Sequence, residues 1–232
     1  MAAPERGGPQ HIPRPEVVRV GDPPSWLDYS GPHSIDEVRA ALHEYTPSEI
    51  VRGPAVSRPV EPGRKSAVLI AIYDGADGPT TVLTRRPMHM RKHAGEIAFP
   101  GGSHDESDET LWRTALREAH EEVGLDPSLP EKVGELDSFV TGASFSLVQP
   151  IVATLDEPPR LVASPDEVDV ILTVPIRELI SSGVYRCEDW FWDGKWVPMH
   201  FFELVGDTVW GATSLMIFNL LEALHGHTPS KD

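Results

Sequence analysis

The sequence predicts an α+β fold in which a mixed β-sheet is flanked by helices. Two observations carry this: short β-rich runs are interleaved with a few amphipathic helical segments, and antiparallel hairpin signals stand near both ends of the globular part. With 232 residues, 40% of them hydrophobic and 24% charged, the chain has the size of one domain with extensions and an ordinary globular composition.

Taken in order, Met1 to Pro24 is dense in Pro and Gly and poor in large apolar residues, which predicts a mobile tail. Ser34 with Glu37 three residues later forms a capping-box pattern ahead of Val38, Ala41 and Leu42, so a short helix follows. Arg52 to Arg64, broken by Pro54, Pro59, Pro62 and Gly63, reads as a linker. Ala67 to Tyr73 and Thr80 to Thr84 are strands joined by the turn-forming DGADGP. Further strands are predicted at Glu96 to Phe99, Val133 to Val140, Leu147 to Leu155 and Val168 to Val174, and helices at Asp108 to Val123, Pro175 to Ser181 and Thr213 to His225. Asp193-Gly194, between apolar runs, is a type I′ hairpin signal, and the aromatics around it, Trp190, Trp192, Trp196, Phe201 and Phe202, read as cross-strand packing. The division expected is an extension over residues 1–64, a globular domain over 65–227 and a tail over 228–232.

Charge narrows the function. Twenty Lys and Arg against 36 Asp and Glu leave a net charge of −16, which disfavours nucleic-acid and membrane partners and requires any phosphate-bearing substrate to meet metal ions or local cations. The longest apolar run, Ala67 to Tyr73, is far short of the ~20 residues of a bilayer crossing. MAAPERGGPQ has no apolar core behind a basic segment, and the lone Cys187 reads as an ordinary thiol, so a cytoplasmic address is expected.

The chemistry concentrates in Gly101 to Leu125. At 100° per residue, Trp112, Ala115, Leu116, Ala119 and Val123 share one helix face, while Glu118, Glu121 and Glu122 cluster on another. Like charges three and four residues apart cost about 0.2–0.5 kcal/mol per pair, a cost that a hard cation such as Mg²⁺ or Mn²⁺ would cancel. A solvated glutamate face explains the same spacing, but not the Gly-Gly loop before it or the Gly124 stop after it.

Arg117 to Leu125, R-E-x-x-E-E-x-G-L, resembles the second half of the Nudix box, G-x5-E-x7-R-E-U-x-E-E-x-G-U with U aliphatic. Counting back from Arg117 puts Glu109 on the first acidic position; counting forward from Gly102 puts Asp108 there. The resemblance covers roughly Ser66 to Leu224. It implies the Nudix fold, an α/β/α sandwich around a mixed sheet. It also implies metal-dependent hydrolysis of a nucleoside diphosphate derivative, with Glu118, Glu121 and Glu122 as metal ligands and Arg117 orienting them. Glu121, Glu122 or a later glutamate, Glu167, would act as general base.

Leu83 to Gly102, LTRRPMHMRKHAGEIAFPGG, is similar to the segment ahead of the box in coenzyme A pyrophosphatases, L-L-T-x-R-[SA]-x3-R-x3-G-x3-F-P-G-G. Val82 and Pro87 depart from it, and Pro87 removes a backbone donor. The implied substrate is coenzyme A or a derivative, cleaved to 3′,5′-ADP and 4′-phosphopantetheine. Arg85, Arg86 and Arg91, with Gly101 and Gly102, are the substrate-binding residues expected. Arg85, Arg86, Arg91 and Lys92 fall within eight residues, and guanidinium forks suit phosphate oxygens. His89, His93 and His104 read as polar surface groups, and WGAT, Trp210 to Thr213, as the structural start of the last helix. A homodimer is compatible with this reading. The alternatives are another substrate such as ADP-ribose or NADH, and a catalytically silent binding module on the same fold.

Overall fold

The computed structural model describes residues 5–48, 64–90, 93–141 and 145–226. The expected linker, apart from Arg64, lies outside the described residues, as do Arg91, Lys92 and the expected tail at 228–232.

The centre is a parallel pairing of β2 (Arg64–Gly75) with β8 (Ser146–Leu155), in register from Arg64↔Ser146 to Tyr73↔Leu155. Beside β2 run β3 (Gly78–Arg85) and then β4 (Ile97–Ala98). β6 (Glu131–Glu135) borders β8, β5 (Gly101–Ser103) pairs with β2, β7 (Phe139–Val140) with β8, and β9 (Val170–Pro175) with β3. A second sheet, in the order β1-β10-β11-β12, contains β1 (Val18–Val20), β10 (Tyr185–Trp192), β11 (Lys195–Leu204) and β12 (Asp207–Val209). The hairpin of β10 and β11 turns at Asp193 and Gly194, both at positive φ as a type I′ turn requires.

From Ala67 to Tyr73 β2 is apolar because both its faces are covered. Ala67, Leu69, Ala71 and Tyr73 pack with α2 (Leu111–Val123) through Ala115, Ala119 and Val123. Ile70 and Ile72 join Val38 and Leu42 of α1 (Ile35–Glu44) and Ile217, Leu220 and Leu221 of α4 (Gly211–Leu224). This is the expected α/β/α layering. α1 starts as predicted: Ser34 Oγ accepts from the Glu37 N–H at 3.3 Å, and Glu37 Oε2 accepts from the His33 N–H at 2.8 Å.

Several boundaries shift. The helix expected from Asp108 begins at Leu111, because Thr110 is the N-cap, its side chain accepting from the Arg113 N–H. The helix expected at Pro175 to Ser181 is the single turn α3 (Ile176–Leu179). The strand expected at Val133 to Val140 is divided: around buried Asp137, whose Oδ1 accepts from the Tyr45 hydroxyl at 2.9 Å and the Ser48 N–H at 2.6 Å, the backbone leaves the ladder.

The larger correction concerns the N-terminus, where Arg6 onward is docked rather than mobile. β1 pairs antiparallel with β10, Val18↔Trp190 to Val20↔Glu188, while Ile12 and Val18 pack on buried Trp190, Met199 and Phe201. The Gly7 N–H donates to Leu204 O at 2.8 Å, and Gly21 passes so near Cys187 that a Cβ there would lie 2.5 Å from Sγ. Composition alone misses this because the segment is held largely by backbone hydrogen bonds to a sheet edge.

Deleting residues 1–20 uncovers that aromatic cluster. We expect a loss of about 2 kcal/mol and a Tm lowered by roughly 4–8 °C in thermal unfolding; a passive tail would leave Tm unchanged.

Candidate active site

The site is built where α2 meets β5. Two glycines permit the approach: a Cβ on Gly101 would lie 2.5 Å from Ala67 O, and one on Gly102 would lie 2.4 Å from Glu118 Cδ. The Gly101 N–H donates to Glu122 Oε2 at 3.3 Å. At the other end of α2, Gly124 adopts φ 66° and its N–H reaches the carbonyls of Ala119 and His120. The chain then returns past this end: the Val162 N–H donates to Val123 O at 2.9 Å and the Ser164 N–H to Glu122 O at 2.8 Å. These bonds fix the start of the segment that carries Glu167.

Arg117 organises the helix entrance. Its Nε donates to Asp108 Oδ1 at 3.1 Å and its Nη2 to Asp108 Oδ2 at 3.0 Å, and Nη2 also reaches Ser103 O at 3.0 Å. Its Nη1 lies 3.0 Å from both Glu118 Oε1 and Glu121 Oε2. This guanidinium fork holds the buried Asp108 carboxyl down to about 2, while Arg117 is itself shifted upward, chiefly by Asp108. Of the two acids left open by the spacing, Asp108 is the one paired with Arg117; Glu109 is exposed.

The three helix glutamates are not equivalent. Glu122 is 4% exposed, and burial pushes its carboxyl up to about 7 against the pull of the Gly101 N–H and Arg86, with Glu118 and Glu167 adding to the rise. Glu118 is also shifted upward, first by burial, against Arg117, with Glu121 and Glu167 contributing. Glu167, itself exposed, thus contributes to the upward shift of both Glu118 and Glu122. Glu121 is drawn toward Arg117 with its side chain 54% exposed, and among the described residues no three His, Cys, Asp or Glu side chains are gathered into a ready coordination set. The donor chemistry nevertheless suits a hard divalent cation: oxygen ligands only, partly dehydrated, with uncompensated like charge.

The structure separates the arginines. Arg86 Nη1 lies 4.0 Å from Glu122 Oε1, Nη2 donates to Met90 Sδ at 3.2 Å, and the buried Nε has no partner among the described residues. Arg86 therefore faces the glutamates with donor capacity in reserve. Arg85, expected at the substrate, turns elsewhere: Nε and Nη2 clasp Asp207 at 2.9 and 2.7 Å, and Nη1 lies 3.5 Å from Asp169. Asp207 is 1% exposed, so Arg85 compensates a buried charge. Arg91 lies outside the described residues.

Of the histidines, His93 pairs with Glu96 and His104 with the Thr114 hydroxyl, while His89 is exposed. Phe191 and Trp196 pack across the hairpin, with centroids 5.2 Å apart. A cavity of about 810 Å³ lies between β10, β11 and α4, lined by Tyr185, Cys187, His200 and Phe218 among others, but not by Glu118, Glu121, Glu122 or Glu167. Asp207 and its partner Gln10 were not singled out by sequence reasoning; no local pattern marks either.

Comparison with known proteins agrees with this arrangement. Residues 63–204 match the NUDIX domain family. The chain is 33% identical over 174 residues to Nudix hydrolase 22, chloroplastic, of Arabidopsis thaliana, covering 72% of this chain and 57% of that protein. It is 30% identical to Nudix hydrolase 15, mitochondrial, of the same plant, covering 72% and 61%. The chain thus spans about three-fifths of the length of these two plant relatives. With NudL, an uncharacterized Nudix hydrolase of Escherichia coli O7:K1, it shares 34% identity over 174 residues, covering 72% of this chain and 86% of NudL. The matched span contains the glycine strand, the glutamate helix and the sheet beneath them, and the chain belongs to the Nudix family.

Proposed function

We propose that the protein is a Mg²⁺- or Mn²⁺-dependent pyrophosphohydrolase that cleaves coenzyme A or its derivatives to 3′,5′-ADP and 4′-phosphopantetheine, or its acyl form. The observation that carries the reading is the seating of Glu118 and Glu122 against the Gly101-Gly102 strand, with Arg86 4.0 Å from Glu122. The similarity of Leu83 to Gly102 to the coenzyme A pyrophosphatase segment supports the choice of substrate. A cytoplasmic setting accords with the single cysteine, whose thiol is pushed up by burial.

In this mechanism Glu118, Glu121 and Glu122 would hold the cation. Bound there, it would supply neutralisation of charge on the pyrophosphate and acidification of a water. Arg117 keeps Glu118 and Glu121 oriented from the Asp108 side. Arg86 grips a phosphate oxygen, its spare Nε–H giving the fork a further donor. Glu167 receives the proton of the attacking water at its carboxylate.

Incubation with coenzyme A, ADP-ribose, NADH and diadenosine polyphosphates, with and without Mn²⁺, should release 3′,5′-ADP from coenzyme A only when the cation is present. Cleavage of another compound with coenzyme A untouched would reassign the substrate. Replacing Glu122 by Gln keeps the shape and removes the charge, and kcat should fall by roughly 10²-fold or more in steady-state assays.

The same substitution reads out the buried charge without substrate. The Glu122 carboxyl titrates near 7 in the fold against an ordinary 4.5, so the folded protein keeps this proton longer than the unfolded chain. Its contribution is fully present below 4.5 and is lost as pH rises through about 7. In the absence of divalent ions, the Tm of the unsubstituted protein minus that of Glu122→Gln should therefore fall between pH 4.5 and about 7. Mn²⁺ should restore it above that range.

A further inference from the structure

The N-terminal segment reaches the active site through one side chain. Gln10 Nε2 donates to Gly95 O at 3.1 Å and to Asp207 Oδ1 at 2.8 Å, while Gln10 Oε1 accepts from the Thr208 N–H at 2.8 Å. Gly95 belongs to the base of the loop that follows Arg86: the Gly95 N–H donates to Arg86 O at 3.1 Å, and the Arg86 N–H donates to Glu96 O at 3.0 Å. Asp207 is the residue clasped by Arg85, the immediate neighbour of Arg86. Gln10 therefore grips both sides of the Arg85-Arg86 pair, one through Gly95 and the other through Asp207.

The segment is itself anchored. The Gly7 N–H donates to Leu204 O at 2.8 Å, the Gly8 N–H to the Thr208 hydroxyl at 3.1 Å, and Arg6 reaches Glu178 Oε1 at 3.2 Å. At Gly8 any larger residue is barred, since a Cβ would lie 2.5 Å from both Asp207 Cα and Gly206 O. Fit this tight makes the segment a strap rather than a loose neighbour.

We propose that Gln10 is a positioning residue that sets the Arg86 loop against the glutamate helix and thereby governs the grip on the substrate's phosphates. This rests on the reading of Arg86 as a phosphate-binding group. Gln10 touches neither Arg86's guanidinium nor any glutamate of the site; it acts through the Gly95 carbonyl and through Asp207. Its removal should therefore weaken substrate binding while leaving the chemical step nearly intact.

The test uses the full chain carrying Gln10→Leu, which removes both polar ends, and Gln10→Glu, which keeps an acceptor for Thr208 but loses the donor to Gly95 and Asp207 and sets a carboxylate beside Asp207. Amide hydrogen exchange followed by NMR should show the Arg86 and Gly95 amides exchanging at least tenfold faster in both variants, with α2 and β8 amides unchanged. KM for coenzyme A should rise about five- to tenfold, with kcat within twofold. Exchange at Arg86 and Gly95 within twofold of the unsubstituted protein would overturn the proposal, as would faster exchange with KM unchanged or with kcat lowered in its place. Failure of the underlying functional reading would look different: the unsubstituted protein itself would not turn over coenzyme A, and kinetics would then be read with whichever compound of the panel it cleaves.

Discussion

A carboxylate withdrawn from water beside other carboxylates is the constraint to which the rest of this site answers. Glu122 and Glu118 lie against the glycine strand with Glu167 in their field, and a charge so placed is tolerated only where donors or cations face it. Around them stand the Gly101 N–H, the Arg86 guanidinium and, at the helix entrance, the Arg117 fork. Each compensates in part. What is left uncompensated is negative charge, which under the proposed function a divalent ion would offset.

The scaffold makes that placement rigid. β2 is the hinge of the design, since one of its faces seats α2 while the other seals the core under α1 and α4. Its edge pairing with β5 brings Gly101 and Gly102 beneath the helix, where a side chain on either would displace backbone or the Glu118 carboxylate. The returning segment after β8, tied to the last carbonyls of α2 by Val162 and Ser164, brings a glutamate distant in sequence into the same field.

Much of this is legible from the sequence because it follows from periodicity. The apolar stripe of α2, the doubly buried β2 and the Asp193-Gly194 turn each announce themselves within a short window, as does the glutamate spacing. What is not legible depends on partners far away. Arg85 and Arg86 are identical residues, yet one is recruited by Asp207 and the other faces Glu122. Asp108 and Glu109 are both acids, separated only by which of them Arg117 reaches. The N-terminal segment looks too polar to order because its hydrogen bonds go to strands nearly 200 residues later, and composition counts apolar area but not available sheet edges.

That last pairing has a consequence for biogenesis. Gln10 is synthesised 197 residues before Asp207, and Gly7 likewise long before Leu204, the groups they bind. No partial product can close this clasp, however well its central sheet has condensed. Synthesis through Asp207 is therefore a precondition for this clasp, and a nascent chain carries the glutamate helix well before the N-terminal segment can be held.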